Sequence, residues 1–256
     1  MVNNGTIPSI NPVAVLFGGQ ALEPEESTNY SLGAIFDVGP VSVTVDYFRI
    51  EVDDRITVSQ LFSINDLTQQ QIDDLIASGV TSAENLQNFR FFTNDFDTET
   101  EGVDIVATTA ADILGGTTDF TLSFNHTDTE VTRFNPATLD DTRIRELQEG
   151  LPDTRYNVSA NHTIGDWRFL ARVSYYDDWF DSEDGLVYDG EYLFDAEAAY
   201  QVSDAISVVV GAQNIFDQFP DDNPGARGGV GNQYSQFTPW GFNGGFWYAR
   251  FNLNLN

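Results

Sequence analysis

The chain has 256 residues and a formal charge of −29, because 40 Asp and Glu residues outnumber 11 basic ones. That balance excludes nucleic acid as a partner, since phosphate binding needs a basic face. Every basic residue is arginine and cysteine is absent. Catalytic lysines, thiolates, disulfides and cysteine-based zinc sites are thereby removed, so the sequence predicts no enzyme, no cofactor and no metal centre.

The acidic charge does not indicate disorder. Hydrophobic residues make up 41% of the chain and aromatic residues 13%, which is enough to bury a core or to face lipid. No apolar window reaches the roughly 18 residues of a membrane-spanning helix, so a helical membrane protein is excluded. A transmembrane barrel is not excluded, because each strand needs only about 9–11 residues with every second one apolar.

Nine segments of strand length alternate apolar and polar residues with a period of two. After Tyr47 the apolar phase slips by one residue, which predicts a bulge or a strand that continues beyond the membrane. A tenth strand over residues 12–17 is also considered. The nine predicted strands cover residues 29–37, 41–47, 102–108, 119–125, 155–164, 167–177, 192–202, 206–213 and 247–255.

The connections between these strands alternate between short turns and long loops, as in outer-membrane barrels. Charged residues on the polar faces suit a water-filled lumen better than the core of a sandwich. The sequence thus predicts an all-β fold, an antiparallel transmembrane β-barrel, with a secreted acidic β-sandwich as the alternative. Aromatic residues at the ends of the apolar faces suggest interfacial girdles; they are Tyr30, Tyr47, Tyr156, Trp167, Tyr175, Tyr192, Tyr200 and Trp247.

Two of the long loops contain segments with helical spacing. Residues 65–78 place Leu67, Ile72, Leu75 and Ile76 on one face before Gly79, and residues 138–149 form a similar segment. Both are interpreted as packing within the loops.

Six stretches match a known family in order and spacing, although each alone is weak. They are LEPEESTNYSLG (22–33), VSVTVDYFRIEVDDRI (41–56), TEGVDI (100–105), LPDTRYNVSANH (151–162), YLFDAEAAYQ with GAQNIFDQFP (192–220), and FTPWGFNGGFWYARFNL (237–253). Together they resemble the C-terminal β-barrel portion of the TonB-dependent outer-membrane receptors, over nearly the whole chain.

The resemblance implies a Gram-negative outer-membrane receptor whose 22-stranded barrel meets membrane lipid outside and encloses an N-terminal plug. TonB acts through that plug to drive active uptake of a scarce nutrient, such as a ferric siderophore, cobalamin or an oligosaccharide. Residues 1–256 would supply about the last nine strands as one barrel domain. The alternative function is a non-transporting structural or adhesive surface module.

Three departures from the family pattern qualify this expectation. No plug segment precedes the strands, no TonB box is present, and the chain ends in Asn256 rather than in an aromatic residue. Nine strands would also leave two unpaired edges, which hydrocarbon does not tolerate. The expectation is therefore a fragment of a longer receptor or the product of a truncated gene.

Aromatic residues in the long loops are the predicted ligand contacts, because rigid rings bury much area at small entropic cost. Packing onto the barrel rim is the alternative for the last three of them. The six residues are Trp179, Phe180, Tyr188, Tyr234, Phe237 and Trp240.

Charged residues on the polar faces are predicted to line the lumen. They could contact a plug or guide an anionic ligand, or simply pair with one another; they are Arg155, Arg168, Arg172, Asp195, Glu197 and Arg250. The hairpin 177–191 carries seven acids and no base, so weak divalent-cation binding and a solvated loop both stay open for it.

Overall fold

The computed structural model describes residues 4–80, 86–183, 185–223, 225, 231 and 233–254. The predicted strand residue Leu255, the terminal Asn256 and the acid Asp184 lie outside this set. Each of the nine predicted segments forms a strand. In chain order the nine long strands are β2 (Glu26–Val38), β3 (Val41–Val58), β6 (Phe92–Ile113), β7 (Gly116–Phe134), β8 (Thr154–Ile164), β9 (Trp167–Tyr176), β12 (Glu191–Ser203), β13 (Ile206–Gln213) and β14 (Phe246–Leu253).

These nine strands form one sheet in the order β14-β13-β12-β9-β8-β7-β6-β3-β2, so each strand pairs with its neighbours along the chain. Strands β2 and β14 are the two edges, which confirms the expected pair of edges in the described part of the chain. Every residue of β2 is exposed.

The register aligns the predicted apolar residues on one face of the sheet. Ala171 lies opposite Ala160 on one side and Ala196 on the other, and Ala196 lies opposite Ala212. Tyr175 is paired with both Tyr156 and Tyr192 at the loop end of the same face. Trp167 is paired with Ile164 and Tyr200 at the turn end. The two predicted aromatic rows therefore border an apolar band whose middle is a row of alanines.

The slip of the apolar phase after Tyr47 lies within β3, which continues beyond the predicted segment 41–47. β3 runs for 18 residues, and β6 for 22 residues. At about 3.3 Å per residue β6 is roughly 70 Å long, whereas crossing a membrane takes about 9–11 residues. The long strands thus extend well beyond any lipid-crossing segment.

The expected tenth strand over residues 12–17 is wrong, because Pro12–Leu16 form helix α1. The side chain of Asn11 accepts a hydrogen bond from the Val13 N–H at 2.9 Å, and Pro12 occupies the first turn, where a missing N–H costs nothing. Val13 and Ala14 are fully buried. A short buried apolar run is compatible with a strand or a helix. The N-cap at Asn11 and the proline that follows it favour the helix.

Both predicted loop helices are confirmed. Helix α2 covers Gln69–Ala77 and follows a 3₁₀ turn at Ile64–Asp66, while helix α3 covers Asp141–Glu149. Thr68 caps α2, and the Gln71 side chain reciprocates by accepting from the Thr68 N–H at 2.9 Å. The helix therefore starts later than residue 65.

The described chain forms two compact units, each assembled from separated stretches. Unit 1 comprises Met1–Tyr30, Arg49–Thr100 and Thr129–Gln148. Its short strands β1 (Asn4–Thr6), β4 (Phe62–Ser63) and β5 (Asn88–Arg90) form a small sheet in the order β1-β5-β4. The long loop and the N-terminal segment thus share one hydrophobic core, whose buried members are Val13, Ala14, Phe62, Ile64, Leu75, Phe89 and Phe91.

An arginine clamp joins strands within unit 1. Arg133 Nη2 donates to Asp97 Oδ1 at 2.7 Å and to Asp54 Oδ1 at 2.9 Å, and Asp97 also accepts from the Asp54 N–H. Burial alone would raise the pKa of Asp97, but these hydrogen bonds and the charge of Arg133 outweigh burial and hold that pKa below its usual value. Asp97 is therefore ionised and contributes to the stability of this unit.

Unit 2 comprises Ser31–Phe48, Glu101–Asp128 and Glu149–Asn256. It includes the hairpin of β10 (Trp179–Asp181) and β11 (Leu186–Tyr188) in the loop after β9. None of the described helices is both long and apolar enough to span a membrane.

Candidate functional site

The polar face of unit 2 carries the six charged residues that the sequence predicts to line the lumen. Arg172 lies opposite Asp195, Glu197 lies opposite Leu170, and Arg168 lies opposite Ala199. All six positions share this face because side chains alternate along each strand. Five of the six are in two ion-pair clusters, whereas Arg155 is exposed and has no ion pair within the described chain.

Glu197 is the centre of the first cluster. Its side chain is only 9% exposed and bonds the guanidinium groups of Arg168 and Arg250, the latter at 3.0 Å. The Tyr248 hydroxyl donates to Glu197 Oε2 at 2.6 Å. Because all its partners are donors, Glu197 is fixed as an ionised acceptor between the two guanidinium groups.

Arg172 and Asp195 form the second cluster, closer to the long loops. Arg172 Nη2 lies 2.8 Å from Asp195 Oδ2, and Nε donates to the same oxygen at 3.0 Å. Asp195 Oδ1 accepts from the Asn214 N–H at 2.9 Å. Both carboxylate oxygens are thus occupied, and Asp195 neutralises the charge of Arg172.

The resemblance motif GAQNIFDQFP fixes the chain where β13 ends. The Asn214 side chain donates to the Gln218 carbonyl at 2.7 Å and accepts from its N–H at 2.9 Å. Asp217 Oδ1 accepts from the Gly245 N–H at 2.7 Å, which ties the beginning of the last loop to its end. Asn214 and Asp217 both have positive φ angles, 49° and 59°. Asn and Asp tolerate this conformation better than most residues, which accounts for their presence here.

Four of the six predicted ligand contacts are buried within the loops. Trp179 and Tyr188 stack with ring centroids 4.6 Å apart, and Trp240 packs on Tyr176 at 5.5 Å. Trp179, Phe180, Tyr188 and Trp240 are between 2% and 6% exposed. The rings of Trp179, Tyr188 and Trp240 form one cluster, which joins the β10–β11 hairpin and the last loop to the strands below.

A buried carboxylate reinforces this loop packing. Asp181 is 3% exposed and accepts from the Ser235 hydroxyl at 2.6 Å and from the Glu183 N–H at 2.9 Å. Ser235 Oγ in turn accepts from the Phe237 N–H at 3.1 Å. The hairpin and the last loop therefore hold each other in place.

The other two predicted ligand contacts are more accessible. Tyr234 stacks on Phe219 with centroids 5.5 Å apart, and Phe237 is 47% exposed. Of the six aromatic candidates, Phe237 presents the largest fraction of its side chain to solvent.

A cavity of about 780 Å³ lies between the polar face and the last loop of unit 2. The Arg172–Asp195 pair is at its floor, and Tyr176 and Trp240 form part of its wall. The remaining lining residues are mainly small, amide or aromatic: Asn157, Ser174, Leu193, Gln213, Asn214, Pro239, Gly241, Asn243, Gly244 and Phe246.

Sequence reasoning missed most of this cavity. Asn157 and Ser174 have the correct parity and lie near the loop ends of their strands, so the alternation could have identified them. Asn243 and Pro239 carry no such signal, because the loop that contains them has no period.

Asp153 lies among other acidic residues at the loop ends of the strands. Burial raises the pKa of Asp153, and the nearby charge of Asp128 raises it further, as do Asp177 and Asp178. The charge of His126 opposes them. Among the described residues no group of three or more His, Asp or Glu side chains is arranged to hold a metal ion. Cation binding by the hairpin 177–191 therefore stays a prediction without a described site.

The two faces of the sheet define the class of protein. One face is apolar between two aromatic rows and the other is charged, while short turns alternate with long folded loops, as in the wall of an outer-membrane β-barrel. The chain belongs to the TonB-dependent receptor family: residues 3–215 match the family described as TonB dependent receptor-like, beta-barrel. No curated protein matches the chain.

Solved structures share this fold at low sequence identity. The FrpB iron transporter from Neisseria meningitidis (F3-3 variant) is 14% identical with a TM-score of 0.55, over 78% of this chain and 28% of that one. The copper transporter OprC is 14% identical with a TM-score of 0.59, over 98% of this chain and 34% of that one. The ferripyoverdine receptor of the outer membrane of Pseudomonas aeruginosa is 15% identical with a TM-score of 0.50, over 80% of this chain and 25% of that one. The chain thus spans a quarter to a third of the length of these proteins.

Proposed function

We propose that this chain forms part of the barrel wall and outer loops of a Gram-negative outer-membrane receptor that takes up a scarce nutrient with energy from the TonB system. In this proposal the apolar face meets membrane lipid, the polar face lines the lumen, and TonB acts through a plug. The chain performs no chemistry of its own.

The observation that carries the proposal is the cavity under the last loop. A transporter needs a binding site that faces its lumen, and this cavity of about 780 Å³ falls within the size range of small-molecule sites. A purely structural surface module needs no such cavity. Iron and copper transporters and a ferripyoverdine receptor share the fold.

The cavity also revises which aromatic residues we expect to contact ligand. Trp240 and Tyr176 line it, so they are the proposed contacts from the wall. Phe237 is the proposed contact from the exposed part of the same loop. Trp179, Phe180 and Tyr188 are proposed to act by holding the loops, since they are buried and do not line the cavity.

Growth or labelled uptake by cells that carry the complete gene, with and without TonB, tests the proposal. We expect uptake only in cells with TonB. The variant Trp240→Phe should reduce uptake, because it removes part of the cavity wall. Trp247→Phe is the matched control, since Trp247 lies on the apolar face and is 68% exposed. Equal uptake with and without TonB would overturn the proposal in favour of a surface module.

A further inference from the structure

The cavity under the last loop contains polar groups that lack partners. Asn157, Ser174, Gln213 and Asn243 line it and make no side-chain hydrogen bond to the described part of the chain. Asn157 and Ser174 are half-buried, whereas Gln213 and Asn243 are exposed. An amide offers both donors and an acceptor, and a hydroxyl offers one donor and acceptor lone pairs. This set therefore matches a ligand that also carries donors and acceptors side by side.

The electrostatics of the cavity disfavour an anionic ligand. Arg172 is the one cation among the lining residues, and its guanidinium is already paired with Asp195 at 2.8 Å. Both oxygens of Asp195 are in turn occupied by Arg172 and the Asn214 N–H. An anion would have to displace Asp195 from Arg172 within a chain of formal charge −29. A neutral ligand can bind without breaking that pair.

Aromatic surfaces complete the site. The ring centroids of Tyr176 and Trp240 lie 5.5 Å apart in the wall, and Phe246, which also lines the cavity, is 59% exposed. Rigid rings bury apolar ligand surface at small entropic cost. A ligand that satisfies both the rings and the amides has apolar C–H faces with hydroxyl groups around its edges, which is the chemistry of a sugar ring.

We infer that the cavity binds a neutral, polyhydroxylated ligand of the oligosaccharide class. The inference rests on the proposed function, because it names the substrate class of that receptor. The amides bind hydroxyl groups, the rings pack against C–H faces, and the Arg172–Asp195 pair stays intact as a neutral floor.

Calorimetric titration of the purified complete receptor tests the inference. The neutral probes are oligosaccharide hydrolysates of starch, cellulose, xylan and chitin, and the anionic probe is ferric citrate. We expect at least one hydrolysate to bind and ferric citrate not to bind. The double variant Asn157→Ala and Gln213→Ala should weaken binding about tenfold or more, since each lost hydrogen bond costs about 1 kcal/mol.

The control is Asn254→Ala, an exposed amide at the turn end of the sheet, which should leave the affinity unchanged. Retained heat-modifiable mobility in electrophoresis shows that each variant is folded. The inference is overturned if ferric citrate binds and the hydrolysates do not, if none of the probes binds, or if the double variant binds as tightly as the parent. TonB-independent uptake would instead overturn the proposed function itself.

Discussion

The Tyr248 hydroxyl donates to Glu197 Oε2 at 2.6 Å, although strand β13 lies between the strands that carry these two residues. Gly211 is the residue of β13 that is paired with both. A Cβ at position 211 would lie only 2.6 Å from Tyr248 Cζ. The Tyr248 ring therefore lies over β13 at the one position where no side chain is in its way. The absence of a side chain at Gly211 thus allows the contact that links β14 to the charged cluster.

Gly211→Ala should displace the Tyr248 ring and lower the free energy of unfolding by roughly 1.5–3 kcal/mol, the contribution of a hydrogen bond to a charged group. Tyr248→Phe should produce a similar loss, because it removes the same bond. Urea unfolding of the complete receptor in detergent measures both. Gly241→Ala is the control, since a Cβ there meets no atom within 4 Å. Parental stability in both test variants would show that the bond contributes nothing.

Arginine on the apolar face should be most costly at the alanine row. Ala171 lies midway between the rows of Trp167 and Tyr175, whereas Val208 is paired with Tyr200 in the row at the turn end. We expect Ala171→Arg to cost about 2–4 kcal/mol and Val208→Arg about 0–1 kcal/mol, because the cost falls towards the interface. The fraction of each variant assembled in the outer membrane measures the difference. Equal assembly would contradict a membrane position for this band.

Unit 1 should lose stability in acid through Asp97. The pKa of this carboxyl is lower in the folded protein than its unfolded value of about 3.9, so its contribution is complete above that value. It is lost as the pH falls through the folded pKa. The protection factors of amides in unit 1, which relate their hydrogen exchange to the intrinsic rate at each pH, should therefore decrease below about pH 4 in the parent. Asp97→Asn should show lower protection factors at neutral pH and little further change in acid; the same acid response as the parent would argue against the clamp.

Asp153 should have the opposite pH dependence. Its folded pKa is raised, so the ionised carboxylate destabilises the protein at neutral pH, and this penalty fades as the pH falls towards the unfolded pKa. Asp153→Asn should raise the unfolding temperature of the complete receptor at pH 7 and have a smaller effect near pH 4. Asp204→Asn, at an exposed short turn, is the control. A lower unfolding temperature at pH 7 would contradict the predicted strain.

The strands were predictable because their signal is local. Successive side chains of a strand point to opposite faces, so a buried or lipid-facing surface imposes a period of two on the sequence itself. All nine predicted segments are strands, and β13 has the predicted bounds. The prediction of a strand over residues 12–17 failed, because the apolar run 13–17 has only five residues and is too short to distinguish a strand from a helix. The sequence feature that indicates a helix there is Asn11 followed by Pro12, since asparagine is a favoured N-cap and proline is favoured in the first turn.

The charged positions were also predictable, since parity assigns a face to each one. Parity does not assign partners: Arg168, Arg250 and Glu197 come from three different strands, and only the register brings them together.

The sequence by itself therefore determined the strand order, the two faces and the alternation of short and long connections, all of which follow from neighbours along the chain. Only the tertiary structure decided which of the loop aromatics are buried. Trp179 and Trp240 lie in different loops, yet both are buried in one cluster with Tyr188. Exposure of a loop ring depends on whether distant segments cover it, and loops lack the periodicity that would have revealed this from the sequence. The same long-range packing forms the wall of the cavity under the last loop.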